Sequence, residues 1–325
     1  MGRVLAGTVG VMLLLAAPAS ASAAQVLRYD AGRVVTADDP QLPPAWQTDL
    51  TPPPAAGVSA SSRCASVGAS GSGAGAVRSA IAGASKRHSI SPADAAAYRR
   101  AFDGARAARA RLGGSYGGEL GSVIATLEGI ASRGALTSSR MPALFLQLRR
   151  NTQFWTGNPR FPPRPDAVVE PCSSPPGRAG ARIEFRGSAI VYQYYPGRGL
   201  QLQPLANFGK ANGMYTACLH RQPSCDRAGL RKLLDELVAI RSQRGGFTTW
   251  EYWFYFGGGS PPWTSGLSQG TAIQALARAS EPSILDDPSY LRVARGALGA
   301  FAKPPPLGVR VRTDGGSHYL IYSFD

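Results

Sequence analysis

Two side chains near the C-terminus of this 325-residue chain are suited to moving a proton. The stretch "HYLIYSFD", residues 318–325, contains both His318 and Tyr322. Either can act as a general acid or base, and a tyrosine base needs positive charge beside its phenolate, which Arg310 and Arg312 could supply. Both side chains are thus of a type that can carry out acid–base chemistry. Tyr322 fits a half-buried strand position equally well, and a histidine near a Gly-Gly turn is more often simply exposed.

A second stretch, "PPWTSGLSQG" at residues 261–270, is suited to holding a sugar. Trp263 offers a flat apolar face on which a sugar ring can stack, while Ser265 and Gln269 offer hydrogen bonds. The stretch opens a predicted helix, and the free N–H groups of its first turn favour an anion. The alternative is that Trp263 belongs to the core and Ser265 is only the helix N-cap.

The segment "YQYYPGRGLQLQPLANFGKANGMY", residues 192–215, carries further candidates for binding an acidic sugar. Lys210, one of four lysines in the chain, would neutralise a carboxylate, and Asn212 lies beside it. Tyr195 and Arg198 would line the same groove. A surface lysine at a helix end and a core tyrosine at a strand end are the competing interpretations. The predicted substrate-binding residues are thus Trp263, Ser265, Gln269, Lys210, Asn212, Tyr195 and Arg198.

The net charge of +15, carried almost entirely by arginine, favours an anionic partner. An acidic polysaccharide fits this charge. Nucleic acid is not expected, because the chain has neither zinc-finger spacing nor an RNP-like aromatic strand. A GC-rich genome would produce the same arginine excess without any function.

Residues 1–24 have the pattern of a signal peptide. Arg3 precedes the apolar run Val4 to Ala17, and small residues up to Ala24 suit signal peptidase. The run is too short to cross a bilayer, and no later segment is long enough, so no transmembrane segment is expected. We therefore expect a protein that is secreted or held in the cell envelope after cleavage.

Four cysteines in an exported chain predict two disulfides. Cys218 and Cys225 flank a short loop, which makes their pairing the easiest and leaves Cys64 with Cys172. No metal site is expected, since the chain has no CxxC pair and three histidines. The oligomeric state, including a homo-oligomer, stays open.

Composition and periodicity divide the chain into segments that must position these residues. Residues 25–76 form a Pro/Gly/Ser-rich arm and linker, residues 77–155 a helical region, and residues 156–181 a Pro-rich linker. The helical region contains three apolar-periodic segments, which predicts a short antiparallel bundle. Its first helix has Ser91 as N-cap and Pro92 in the first position.

Residues 182–325 combine short strands with helices. A β-hairpin is predicted around Gly187–Ser188, and two short strands about residues 314–316. Asp287-Pro288 is expected to cap the last helix. Gly266 and Gly270 lie inside a predicted helix, where each costs about 1 kcal/mol relative to alanine, so we expect them to let a neighbouring helix approach closely.

Two ordered blocks of residues 182–325 resemble the D-glucuronyl C5-epimerase family. The segment Trp263 to Gly270 resembles the W-x-S-[GA]-x-[AS]-Q-G motif of that family. The block at residues 192–215 is similar to its Y-x-Y-P segment, and "GGF" at Gly245 to Phe247 is similar to its "GGW". The resemblance implies that residues 182–325 form an incomplete (α/α) toroid, giving a mainly α chain with a small β-hairpin element.

The resemblance also implies an activity, which is the conversion of D-glucuronate to L-iduronate within a polysaccharide without a cofactor. The family uses tyrosines for proton transfer, and one of them lies in an E-E-Y-P motif that falls at Tyr322. The resemblance therefore makes Tyr322 the candidate catalytic residue, with His318 as its candidate acid–base partner. Leu320 and Ile321 stand where that motif has glutamates, and Ser323 stands where it has proline. Catalytic competence is therefore in doubt, and we expect the chain to be a fragment of a longer protein.

Two alternatives remain at this stage. One is a non-catalytic envelope protein that binds acidic glycans. The other is a polysaccharide lyase, which begins with the same removal of the C5 proton and then expels the C4 oxygen.

Overall fold

The computed structural model describes residues 24–30, 33–39, 71–159 and 179–324 of the chain. The predicted signal peptide, the Cys64–Cys172 pairing and most of the predicted linker at 156–181 lie outside the described residues. Of the predicted disulfides, the one between Cys218 and Cys225 is confirmed.

Four helices form the N-terminal helical region. The N-cap prediction is confirmed, because the Ser91 hydroxyl accepts a hydrogen bond of 3.0 Å from the Asp94 N–H and Pro92 opens its helix. The first helix begins at Gly71, inside the expected linker, since Val77, Ile81 and Ala84 recur at helical spacing and are fully buried. The four helices are α1 (Gly71–Lys86), α2 (Pro92–Arg111), α3 (Gly114–Ser132) and α4 (Met141–Thr156).

A five-stranded sheet adjoins these helices. Its strands are β1 (Ala24–Asp30), β2 (Arg33–Asp39), β3 (Arg182–Phe185), β4 (Val191–Tyr195) and β5 (Gly199–Leu202), in the order β2-β1-β3-β4-β5. The hairpin predicted around Gly187–Ser188 is confirmed as the antiparallel pair β3–β4. Strands β1 and β2 lie where an extended arm was expected. A strand that pairs in parallel with the distant β3 leaves no local signal of its partner.

Side-chain amides of α4 cover the outer edge of β5. Asn151 accepts a hydrogen bond of 2.8 Å from the Leu200 N–H and donates one of 2.7 Å to the Leu200 carbonyl. Gln147 accepts one of 2.8 Å from the Leu202 N–H. These amides satisfy the backbone groups that an edge strand leaves unpaired. The helical region and the sheet therefore share one interface.

The rest of the chain is helical with two small hairpins. Its elements are α5 (Pro204–Leu219), α6 (Arg227–Ala239), β6 (Ser242–Arg244), β7 (Phe247–Thr249), α7 (Gly266–Ala279), α8 (Pro288–Ala297), a short 3₁₀ helix (Leu298–Phe301), β8 (Arg310–Thr313) and β9 (Gly316–Tyr319). The predicted Asp287 cap and the strand pair about residues 314–316 are confirmed. The chain is thus mainly α with small sheets, whereas the toroid stays a prediction. Within the described ranges, no helix is long and apolar enough to cross a membrane.

Candidate functional site

Seven aromatic side chains form a cluster that is separate from the main core. We call it the aromatic cluster: Tyr195, Tyr252, Phe254, Phe256, Trp263, Tyr322 and Phe324. Four of its members are buried, and Phe256, Tyr322 and Phe324 are partly exposed. The Tyr322 ring centroid lies 5.3 Å from that of Phe256 and 5.5 Å from that of Trp263. These three partly exposed rings make the accessible face of the cluster.

Three glycines shape the loop that supports this face. Gly257 and Gly258 have φ angles of 54° and 87°, which suit the two central positions of a tight hairpin turn between Phe256 and Gly259. At Gly259 the requirement for glycine is steric, because a Cβ added there would lie 2.3 Å from the Phe324 ring. The triple glycine therefore makes the turn and admits a ring of the cluster.

The segment that carries Tyr322 is fixed to the start of α7 by backbone hydrogen bonds. The Gly266 N–H donates to the Ile321 carbonyl at 2.9 Å, and the Ser323 N–H donates to the Thr264 carbonyl at 2.9 Å. A Cβ on Gly266 would lie 2.4 Å from the Leu320 carbonyl oxygen. The neighbour that requires this glycine is thus the strand-like segment before Tyr322 and not the helix that we expected.

Tyr195 and Arg198 approach the cluster from the turn between β4 and β5. The Tyr195 ring stacks on Phe254 with 4.7 Å between centroids. The Arg198 guanidinium lies over the same Phe254 ring, 5.9 Å from its centroid, at a distance typical of a cation–π contact. Four predicted site residues are therefore brought to one cluster: Tyr195, Arg198, Trp263 and Tyr322. Among them, Arg198 and Tyr322 are partly exposed.

Burial sets the protonation state of the inner phenols. It raises the pKa of Tyr195 to about 12, an effect to which Tyr322 adds and which the Gln203 hydrogen bond and the Arg198 charge oppose. Burial likewise raises the pKa of Tyr252, against a hydrogen bond with Ser268. At neutral pH both phenols are therefore uncharged hydrogen-bonding groups.

Trp263 does not present its face to solvent. It is 3% exposed, stacks on Tyr252 with 4.2 Å between centroids, and donates from its indole nitrogen to the Phe254 carbonyl at 2.7 Å. Of the two interpretations of this tryptophan, the geometry favours the core residue. Phe256 and Phe324 provide the accessible apolar surface instead.

Ser265 and Gln269 are also turned inward. The Ser265 hydroxyl accepts from the Ser268 N–H at 3.3 Å, which makes it the N-cap of α7. The Gln269 amide donates to the carbonyls of Thr248 at 2.6 Å and Ala297 at 3.2 Å. The polar groups of Ser265 and Gln269 therefore form hydrogen bonds within the fold and do not face solvent.

Lys210, Asn212 and His318 lie outside the aromatic cluster. Lys210 forms an ion pair of 2.8 Å with Glu184 of β3, and Asn212 accepts a hydrogen bond of 3.0 Å from Arg278. Both residues lie on α5, and each contacts a charged side chain of the fold. His318 is exposed on β9. None of the three is a member of the cluster that contains Tyr322.

A buried ion-pair network supports the loops below the cluster. Glu251 accepts hydrogen bonds of 2.7 and 2.8 Å from Arg140 and one of 2.7 Å from Arg244. Arg244 also donates to the carbonyls of Pro262 and Leu307, at 3.1 and 2.9 Å. Two arginines thus compensate one buried carboxylate and join α4, the β6–β7 hairpin and two proline-rich loops.

Sequence reasoning missed Phe254 and Phe256 as site residues. Their signal is the alternation in "EYWFYF", because Tyr252, Phe254 and Phe256 are two positions apart and an extended chain places them on one side. It also missed Glu119 of α3, which supports the turn that carries Arg198. That residue has no signal in the sequence, since its partners lie 75 to 80 positions away.

Comparison with known proteins bears on the C-terminal part of the chain. Residues 244–325 match the family model described as D-glucuronyl C5-epimerase C-terminus. This segment is similar to that family. The resemblance seen in the sequence is confirmed there, and the segment includes six of the seven members of the aromatic cluster. No curated protein and no solved structure matches the chain.

Proposed function

We propose that this protein is a C5-epimerase-like protein that acts on uronic acid residues of an acidic polysaccharide, converting D-glucuronate to L-iduronate. One observation carries the proposal. The segment that matches the epimerase family packs Tyr322 into an aromatic cluster that Arg198 also contacts. A partly exposed tyrosine, an arginine and apolar rings are groups suited to binding a uronate ring.

The reaction sets the roles of these residues. A base removes the C5 proton, the carboxylate becomes an enediolate, and a proton returns to C5 from the opposite face. Tyr322, partly exposed, is the proposed proton carrier. Arg198 is the proposed partner of the carboxylate, where it stabilises the charge that grows as the proton leaves. Tyr195 stays uncharged, packs at the inner side of the proposed site and forms hydrogen bonds there.

The rings of Phe256 and Phe324 are proposed to pack against the apolar face of the sugar. They are partly exposed on either side of Tyr322, and the Tyr322 and Phe324 rings are parallel within 3° at 5.3 Å. The net charge of +15 supports an anionic glycan as partner. The signal-peptide pattern supports a secreted or envelope location.

A binding function without catalysis is the second candidate. It is favoured by one specific observation, the presence of Leu320 and Ile321 where the family motif has two glutamates beside its tyrosine. A protein with this change would keep Arg198 and the rings as a glycan surface and lose the acid–base groups.

Isotope exchange tests the proposal. A glucuronate polymer is incubated with the protein in heavy water, and deuterium at C5 is measured by NMR together with absorbance near 230 nm. Deuterium at C5 without new absorbance is the expected result. Unsaturated product would identify a lyase. Salt-sensitive binding without any exchange would replace the epimerase proposal with the binding function.

A further inference from the structure

The turn that carries Arg198 is held from the N-terminal helical region. The N–H groups of Gly197 and Gly199, on either side of Arg198, donate to the two carboxylate oxygens of Glu119 at 2.9 and 2.8 Å. The Tyr194 hydroxyl donates to the same carboxylate at 2.6 Å. One buried side chain of α3 therefore binds both flanks of the turn and the strand that leads into it.

Neighbouring contacts leave the turn little freedom. The Ser122 hydroxyl, also on α3, donates to the Gly197 carbonyl at 2.6 Å. Gly199 has a φ of 69°, and a Cβ there would lie 2.6 Å from the Asn151 side-chain oxygen and 2.7 Å from Val123. The turn thus fits tightly against α3 and α4, and its register is set by these helices.

Packing alone gives no reason for a carboxylate at this position. Glu119 is 5% exposed, and a buried charge is costly unless hydrogen bonds compensate it. Burial raises the pKa of Glu119, and the Tyr194 hydroxyl and the backbone N–H groups of Gly197, Gly199 and Arg198 act in the opposite direction. What the carboxylate provides, and an apolar residue would not, is a pair of acceptors spaced to bind both flanks of Arg198.

We propose that Glu119 is a positioning residue for Arg198: it fixes the β4–β5 turn so that the guanidinium lies at the aromatic cluster and meets the substrate carboxylate. The proposal rests on the function proposed above for Arg198. It makes the site composite, because α3 lies outside the segment that matches the epimerase family. The helical region would then be part of the glycan-binding machinery.

A double-mutant cycle tests this coupling. Affinity for a glucuronate oligosaccharide is measured by calorimetry for the full chain, Glu119→Gln, Arg198→Ala and the double variant. Glu119→Gln keeps the shape but turns an amide N–H₂ toward one flank of the turn. We expect it to weaken binding about tenfold, the scale of one charge-assisted hydrogen bond. In the double variant the loss of affinity should equal that of Arg198→Ala alone, because both changes remove the same contact between Arg198 and the glycan.

A matched control separates positioning from general destabilisation. Tyr194→Phe removes a hydrogen bond to the same carboxylate but leaves both turn N–H groups bound, so affinity should stay within about twofold of the unmodified chain. Amide exchange at Gly197 and Gly199 gives a readout that does not depend on any ligand. It should become about tenfold faster in Glu119→Gln and stay unchanged in Tyr194→Phe.

Unchanged affinity in Glu119→Gln, or losses that add in the double variant, would overturn the proposal. If Glu119→Gln does not fold, Glu119→Asp replaces it, since the shorter carboxylate retracts from the turn. If Arg198→Ala leaves affinity unchanged, the proposed function of Arg198 fails. Exchange at Gly197 and Gly199 then decides whether Glu119 holds the turn.

Discussion

The ring of Phe324 lies against the backbone of Gly259, so close that a methyl group at Gly259 would overlap the ring at 2.3 Å. This contact joins the glycine-rich loop to the segment that carries Tyr322. Because the Phe324 ring also stacks on Tyr322, the position of the candidate proton carrier depends on a glycine 63 positions earlier in the chain.

Gly259→Ala should therefore displace Phe324 and lower the free energy of unfolding by about 1 to 3 kcal/mol, the usual range for overpacking. Denaturant unfolding gives this change, and near-UV circular dichroism reports the aromatic rearrangement. Gly315→Ala, in the turn between β8 and β9, is the control, since the closest atom to its added Cβ lies at 3.8 Å. Equal stability of the two variants would contradict the proposed contact.

Tyr322→Phe should reduce deuterium incorporation at C5 by at least about 100-fold, the typical contribution of a positioned acid–base group. Glycan affinity should change little, since the ring and its contacts with Phe256 and Trp263 remain. Tyr319→Phe changes an exposed tyrosine nearby and should leave exchange intact. Exchange that survives in Tyr322→Phe would assign proton transfer to another residue.

Gln269→Ala tests whether the Gln269 amide stabilises the fold and does not contact the sugar. Removal leaves the carbonyls of Thr248 and Ala297 without their donor, so the free energy of unfolding should fall by about 1 to 3 kcal/mol. Glycan affinity, measured well below the melting temperature, should not change. Gln243→Ala, at an exposed position, serves as the control for stability. Lost affinity with normal stability would restore Gln269 as a sugar contact.

The free energy of unfolding should fall as the pH rises above about 10, and Tyr195→Phe should make this fall smaller. An unfolded tyrosine releases its proton near pH 10, whereas burial raises the pKa of Tyr195 to about 12. Between these values the unfolded state binds fewer protons, so the free energy of unfolding falls by about 1.4 kcal/mol per pH unit for this group. Below pH 10 the contribution is complete.

Urea unfolding at several pH values between 9 and about 12 measures this slope. The slope for Tyr195→Phe should be smaller than that of the unmodified chain by about one proton. Identical slopes for the unmodified chain and Tyr195→Phe would show that Tyr195 is not buried as described.

Local chemistry was enough to predict several elements. Ser91 and Asp287 cap their helices because a side-chain oxygen reaches an N–H group two or three positions ahead. The pairing of Cys218 with Cys225 spans only 7 positions. The epimerase-like segment was recognised from Trp263 to Gly270 for the same reason, since a motif is a local pattern.

Tertiary structure alone decided which of these residues are exposed to solvent. Trp263 and Gln269 carry the chemistry of sugar contacts, yet both are buried because Tyr252 covers the indole and distant carbonyls bind the amide. Glu119 meets the turn around Arg198 only because α3 packs against β5. Residue type and spacing determined which chemistry each side chain can carry out. Packing against residues far along the chain determined which side chains stay exposed. Exposure depends on contacts between segments, so no single segment encodes it.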